Sequence, residues 1–221
     1  MYTLSASLIW GVNTLFLLDA GLDILQVFVA NAAFSVGMAI FEIPTGVLAD
    51  TRGRRVSFLL STLILGLGTL GYVGVAMIGG GLGLFILMSI LLGLGFTFYS
   101  GAVEAWLVDS LNALGFKGSL DQVFARSAFI SGAAMIVGTV GGGFLGDLDL
   151  SIPFIGRAVL LFTLFIIAYF SMHEIGYQPR ALTFDQIPRE MRAVAEASFK
   201  FGWGRPSMRL IFLVSLIQTG F

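Results

Sequence analysis

The sequence predicts an all-α integral membrane protein. Three observations point there. The 221 residues are 57% hydrophobic and only 11% charged, with a mean hydropathy of +0.95, whereas a soluble domain carries about 25% charged residues. Apolar runs near the roughly 20 residues that a helix needs to cross a bilayer recur along the chain. The basic residues fall almost entirely on alternate connections between those runs.

Six apolar segments fit as spans, at approximately 2–18, 25–48, 58–78, 83–107, 127–146 and 153–172. The first begins at Met1 without a basic leader and runs on at span length, which reads as a span and not as a cleaved signal. Asp19 to Asp23 forms the first turn, Gly79 to Gly81 the third connection, and Asp147 to Pro153 the fifth. Arg52, Arg54 and Arg55 follow the second span, and Lys117 and Arg126 the fourth. Arg180, Arg189, Arg192, Lys200, Arg205 and Arg209 follow the sixth. Eleven of the 12 Lys and Arg thus share one side, with Arg157 alone opposite. Basic loops stay in the cytoplasm, which puts the amino terminus inside.

Residues 173–206 read as a cytoplasmic linker. Asp185 is placed to cap a helix whose first turn holds Pro188, where a missing N–H costs nothing. Ile187, Met191, Val194 and Ala195 then recur at helical spacing, with Arg189, Arg192 and Glu196 on other faces. That pattern predicts an amphipathic helix lying on the membrane surface. Residues 207–221 read as an incomplete seventh span.

Several function classes are disfavoured. The chain has no cysteine, so disulfides and thiolate metal sites are excluded. No basic stripe outside the loops suggests nucleic acid. Gly66, Gly68 and Gly71 have the spacing of a dinucleotide fingerprint but lie inside an apolar span with no strand before them, so helix packing is the better reading. There is no phosphate-binding Gly-Lys-Ser/Thr loop and no visible nucleophile–base pair. His173 is the only histidine. No enzyme chemistry, cofactor or metal is expected.

The stretch from Gly46 to Arg55, GVLADTRGRR, lies between two spans. It resembles the loop signature of the major facilitator superfamily, with Gly46, Leu48, Ala49, Asp50, Gly53, Arg54 and Arg55 matching. Thr51 departs from it, because the family more often has a basic residue there. The resemblance implies a secondary transporter whose amino-terminal half is residues 1–172: a six-helix half-bundle, followed by the linker helix and the start of a seventh span. Complete members have about twelve spans, so a carboxy-terminal half is the implied partner, with the lipid bilayer. In the family the loop Asp and Arg form a charge cluster with an acid at the end of the fourth span. This cluster latches one state of the transport cycle. Asp50, Arg54 and Asp109 occupy those places here, supported by Gly46, Gly53 and Arg55. The alternative is that Arg54 and Arg55 only set topology and touch lipid phosphates.

Two acids lie deeper. Glu42 is about 12 Å further along a helix than Asp50, and Glu104 about 7–8 Å further than Asp109. Acids at such depth are costly and face protein or water, so either one is a candidate proton-coupling group. The structural alternative pairs Glu42 with Thr45 or with backbone freed by Pro44, and Glu104 with an arginine. The segments 41–46 and 101–109 look like those of bacterial efflux-type members, and Gly138 to Gly143 resembles an antiporter signature with Thr139 in place of Pro. Span four, however, lacks the intramembrane arginine usual in drug–proton antiporters.

Trp10, Asn13 and Phe16 on span one, with Phe96, Phe98 and Tyr99 on span four, are candidates to line the solute path. Packing or lipid contact is the competing role for each. The reading is proton-coupled efflux of small apolar or amphipathic solutes, with protons as the coupling ion. The expected location is the bacterial inner (plasma) membrane. Uptake or uniport of a polar metabolite is one alternative. A truncated fragment that inserts but does not transport alone is another.

Overall fold

The computed structural model describes residues 1–177 and, beyond them, Arg192 and Glu196. The linker helix expected after Asp185 and the expected seventh span lie otherwise outside the described residues. Two units separate at Pro179/Arg180. In the second, Arg192 Nε meets Glu196 Oε1 at 2.7 Å, an i,i+4 pair.

In the first unit every described element is an α-helix: α1 (Tyr2–Ser7), α2 (Asn13–Asp19), α3 (Ile24–Arg52), α4 (Arg54–Met77), α5 (Leu82–Tyr99), α6 (Ala102–Ala113), α7 (Leu120–Leu148) and α8 (Ile152–Ser171). Five stretches are long and apolar enough to cross a membrane: α3, α4, α5 with α6, α7 and α8. The outer side of α7 exposes Phe129, Ile136 and Phe144, as a lipid-facing helix would.

The expected first span is different. The run 2–18 is split into helices of 6 and 7 residues by turns at Leu8–Val12, and neither piece reaches across a bilayer. The hydroxyls of Ser5 and Ser7 donate to the carbonyls of Tyr2 and Leu4, three residues back, at 2.7 and 3.2 Å. Such back-bonding weakens and bends a helix. The expected fourth span is also interrupted. Gly101 takes φ +73° between α5 and α6, a left-handed conformation that glycine adopts without a Cβ penalty.

The other helix ends follow local rules. Asp23 caps α3: its carboxylate accepts from the Gln26 N–H at 2.8 Å, and Gln26 Oε1 accepts from the Asp23 N–H at 3.0 Å, a reciprocal capping box. Pro153 lies in the first turn of α8, where no N–H is needed. α3 continues through Pro44. The hydroxyl of Thr45 donates there to the carbonyls of Phe41 and Glu42, at 2.8 and 3.2 Å.

Helix α5 packs between α3 and α4, α4 also meets α8, and α1 lies on α7 and α8. Phe16, Leu17, Leu65, Tyr72, Phe85, Phe154 and Leu161 form the main core. The glycines of α4 are packing residues: a Cβ at Gly66 would press on Phe162, and one at Gly68 on Leu92, both at 2.9 Å. α7 presents a tighter seam. Gly138, Gly142 and Gly146, spaced four apart, are all buried. A Cβ at Gly142 would collide with the carbonyl oxygen of Leu8. One at Gly138 would stand 2.8 Å from the Leu4 carbonyl, and one at Gly146 2.7 Å from Val12. Small residues at this period let membrane helices touch backbone to backbone. Here they seat the broken first segment.

Candidate functional site

A cavity of about 590 Å³ opens where α1, its break, α2, α3, α4, α5 and α8 meet. Its walls carry rings from Tyr2, Trp10, Phe34, Phe96, Tyr72 and Phe154, interleaved with Asn13, Thr14, Asn31, Ser35, Thr69 and Arg157. Trp10 is contributed by the break and Asn13 by the first residue of α2. Irregular backbone at membrane depth is tolerated where it lines a cavity, and discontinuous helices mark transporter sites. Asn13 Nδ2 donates to Asn31 Oδ1 at 3.1 Å, tying α2 to α3 across the wall. Tyr72 shares a short hydrogen bond with Ser89.

Of the expected lining residues, Trp10, Asn13 and Phe96 are in the walls. Phe16 is not: it is 3% exposed and packs on Phe154 with ring centroids 4.2 Å apart. Phe98 is buried, and its carbonyl accepts from Ser57 at 2.8 Å. Tyr99 stacks on the lining residue Tyr2 at 3.5 Å. An aromatic in an apolar helix packs wherever its face meets the core, and the sequence pattern does not distinguish that from a cavity wall.

Arg157 is the one basic residue opposite the other eleven in the sequence. It stands in the second turn of α8, 9% exposed, and lines the cavity. Its Nε is buried without a hydrogen-bond partner.

The charged turn lies at the end of the bundle where α3 meets α4. Gly53 joins the two helices at φ +103°, and Arg54 Nη2 meets Asp50 Oδ1 across it at 2.8 Å. Asp109 makes no ion pair among the described residues; the backbone of α6 around it instead packs on Gly176. The segment after α8 crosses this end, which nothing in the sequence announced. Glu174 Oε1 accepts from the Arg55 N–H at 2.6 Å, capping α4. Arg55 Nη2 donates to the Tyr169 carbonyl at 2.6 Å, with its guanidinium 5.2 Å from the Tyr169 ring centroid. Trp106 Nε1 donates to the His173 carbonyl at 2.7 Å. Tyr177 Oη donates to the Asp50 carbonyl at 2.7 Å. Burial, and then the charge of Glu174, push the Tyr177 phenol above its ordinary pKa, so it keeps the proton it donates.

The Asp50 and Arg54 side chains are 37% and 23% exposed, and pairs this open contribute about 0.2–1 kcal/mol. Asp50→Asn is therefore expected to leave thermal stability nearly unchanged, which a thermal unfolding curve in detergent reads; a large drop would show the pair to be worth more than an exposed one.

Glu42 and Glu104 both lie at the α5–α6 bend. Ser100 Oγ donates to Glu42 Oε1 at 3.2 Å. Glu104 occupies the first turn of α6, where an acid complements the helix dipole. Both are exposed in the described unit, and neither forms an ion pair among the described residues.

The chain is 26% identical over 154 residues to YxaM, an uncharacterized MFS-type transporter of Bacillus subtilis (strain 168). The match takes in 69% of this chain but 36% of that protein, so it spans little more than a third of the relative's length. No family model matches, and no solved structure matches. The similarity and the five apolar helices fit part of a major-facilitator-type transporter, an integral membrane protein.

Proposed function

We propose that this chain supplies the cavity-bearing part of an alternating-access secondary transporter that expels small apolar or amphipathic solutes, driven by protons. The cavity carries the reading: about 590 Å³, walled by six aromatic rings and a few convergent polar groups beside an interrupted helix, as small-molecule sites are built. Its two faces suit a solute with an apolar body and a polar end. A second set of six spans, with the end of a facing helix against Asp50 and Arg54, would complete the path and the latch. The bacterial inner membrane, with the basic turns and the amino terminus cytoplasmic, fits the charge asymmetry.

Glu42 is the stronger coupling candidate, because its hydrogen bond to Ser100 joins α3 to the bend in the fourth span. Protonation would weaken that link, and bends are where such helices flex. Uptake or uniport of a polar metabolite is the second reading, favoured by the Asn13–Asn31 pair in the wall. The test is flux of a panel of aryl solutes by the intact transporter in proteoliposomes, with and without a proton gradient. Glu42→Gln is expected to lose gradient-driven flux by roughly tenfold or more while keeping exchange. Gradient-driven flux by both Glu42→Gln and Glu104→Gln would rule out either acid as the carrier. Flux indifferent to the gradient would favour uniport.

A further inference from the structure

We propose that the cavity takes an amphipathic anion, with Arg157 receiving its carboxylate or another acidic head. The inference rests on the substrate-cavity reading above. An arginine in apolar surroundings is costly unless an opposite charge or a full set of hydrogen bonds compensates it. Arg157 is 9% exposed in the second turn of α8, and its Nε has no partner. It forms no ion pair among the described residues, and the cavity walls contain no aspartate or glutamate. The compensation is therefore absent from the walls, while the guanidinium keeps its charge and its five donors.

The surrounding geometry fits an acid on an aromatic body. The planar donor fork of arginine matches a carboxylate. Phe154, one helical turn's reach from Arg157, lies against Tyr72 with nearly parallel rings 6.3 Å apart. Tyr2 and Tyr72 bring phenol groups to the same walls. Trp10, Phe34 and Phe96 supply the apolar remainder. A cation would instead meet an uncompensated positive charge, and a neutral solute would leave the arginine as it is.

The chain has a built-in reporter, since Trp10 lines the cavity. The probes are 4-bromobenzoate and its neutral counterpart 4-bromobenzamide, whose bromine quenches nearby tryptophan. Titrations use the full chain in zwitterionic lipid nanodiscs at neutral pH, with Trp10→Phe identifying the Trp10 signal. Partition into lipid favours the amide, so preference for the acid runs against the membrane's own bias. The acid is expected to quench Trp10 at concentrations at least roughly tenfold below the amide, a difference of about 1.4 kcal/mol. Arg157→Gln is expected to remove that preference and leave amide quenching in place, and Arg157→Lys to keep part of it. Equal quenching by acid and amide in the wild type overturns the anion assignment and leaves the cavity reading standing. An acid preference that survives in Arg157→Gln also overturns it. Quenching by neither probe overturns both. Retained amide quenching in Arg157→Gln shows that the variant is folded; if it is lost, Arg157→Lys decides, and failure of that variant to prefer the acid counts against the assignment.

Discussion

Gly142→Val is expected to prevent recovery of a monodisperse folded protein. The new Cβ would collide with the Leu8 carbonyl oxygen and stand 2.7 Å from its carbon. Both are main-chain atoms that no rotamer change can move. Overpacking in a close-packed interior costs typically 1–3 kcal/mol, and here the obstruction is backbone, so the upper part of that range or beyond is expected. The loss would spread, because α1 rests on α7 and α8 and the cavity takes Tyr2, Ala6, Ile9 and Trp10 from the segment being displaced. Gly141→Ala and Gly143→Ala are the controls, since a Cβ at either position meets nothing within 4 Å. Size-exclusion profiles and thermal unfolding in detergent read the outcome. If Gly142→Val behaves like Gly141→Ala, the seam is not the seat of the first segment.

Gly53→Val carries the second large effect, through two independent causes. At φ +103° and ψ 155° a branched side chain is strained, by about 1–3 kcal/mol in a region that is essentially glycine-only. Its Cβ would also run into the carboxylate of Glu174, with Cδ at 2.9 Å, and push it from the Arg55 N–H that it caps. A capping group of this kind is worth about 0.5–2 kcal/mol. The expected result is a clear drop in unfolding temperature together with faster proteolysis in 172–177. Adding Glu174→Ala to Gly53→Val should remove the collision but not the strain, so part of the loss should remain. Gly46→Ala is the control, since a Cβ there meets nothing within 4 Å. Wild-type stability in Gly53→Val would show that the turn is free to relax.

The charged turn was legible because its signal is contiguous: glycine, acid and paired arginines sit in ten residues between two apolar runs. The continuous spans were legible because hydropathy reports directly what lipid demands of a helix. The break at Leu8–Val12 was hidden by that same measure. Ile9, Trp10 and Val12 are as apolar as any helical residue, and only the tertiary contact with α7 shows where the turns fall. Arg157 stood out in the sequence only as the one basic residue opposite the other eleven; its burial in a cavity wall depends on tertiary contacts that no local pattern records. The glycine-rich string in α7 was visible, but its contacts use every fourth residue and extend to Gly146. Glu174 could not have been found, since its bond to the Arg55 N–H spans 119 residues and long-range caps leave no local trace.

The broken first segment has a consequence for biosynthesis. Its two pieces cannot satisfy all their own backbone groups, and in lipid each unsatisfied group costs several kcal/mol. The surface that receives Leu8 is Gly142, which the ribosome adds 134 residues later. At about 5–20 residues per second, Leu8 waits roughly 7–27 seconds before its seat exists. Until then the close contact that seats this segment cannot form, so its packing is completed only after α7 has been made. An element near the amino terminus thus completes its packing late, and a synthesis pause before Gly138 would lengthen its exposure.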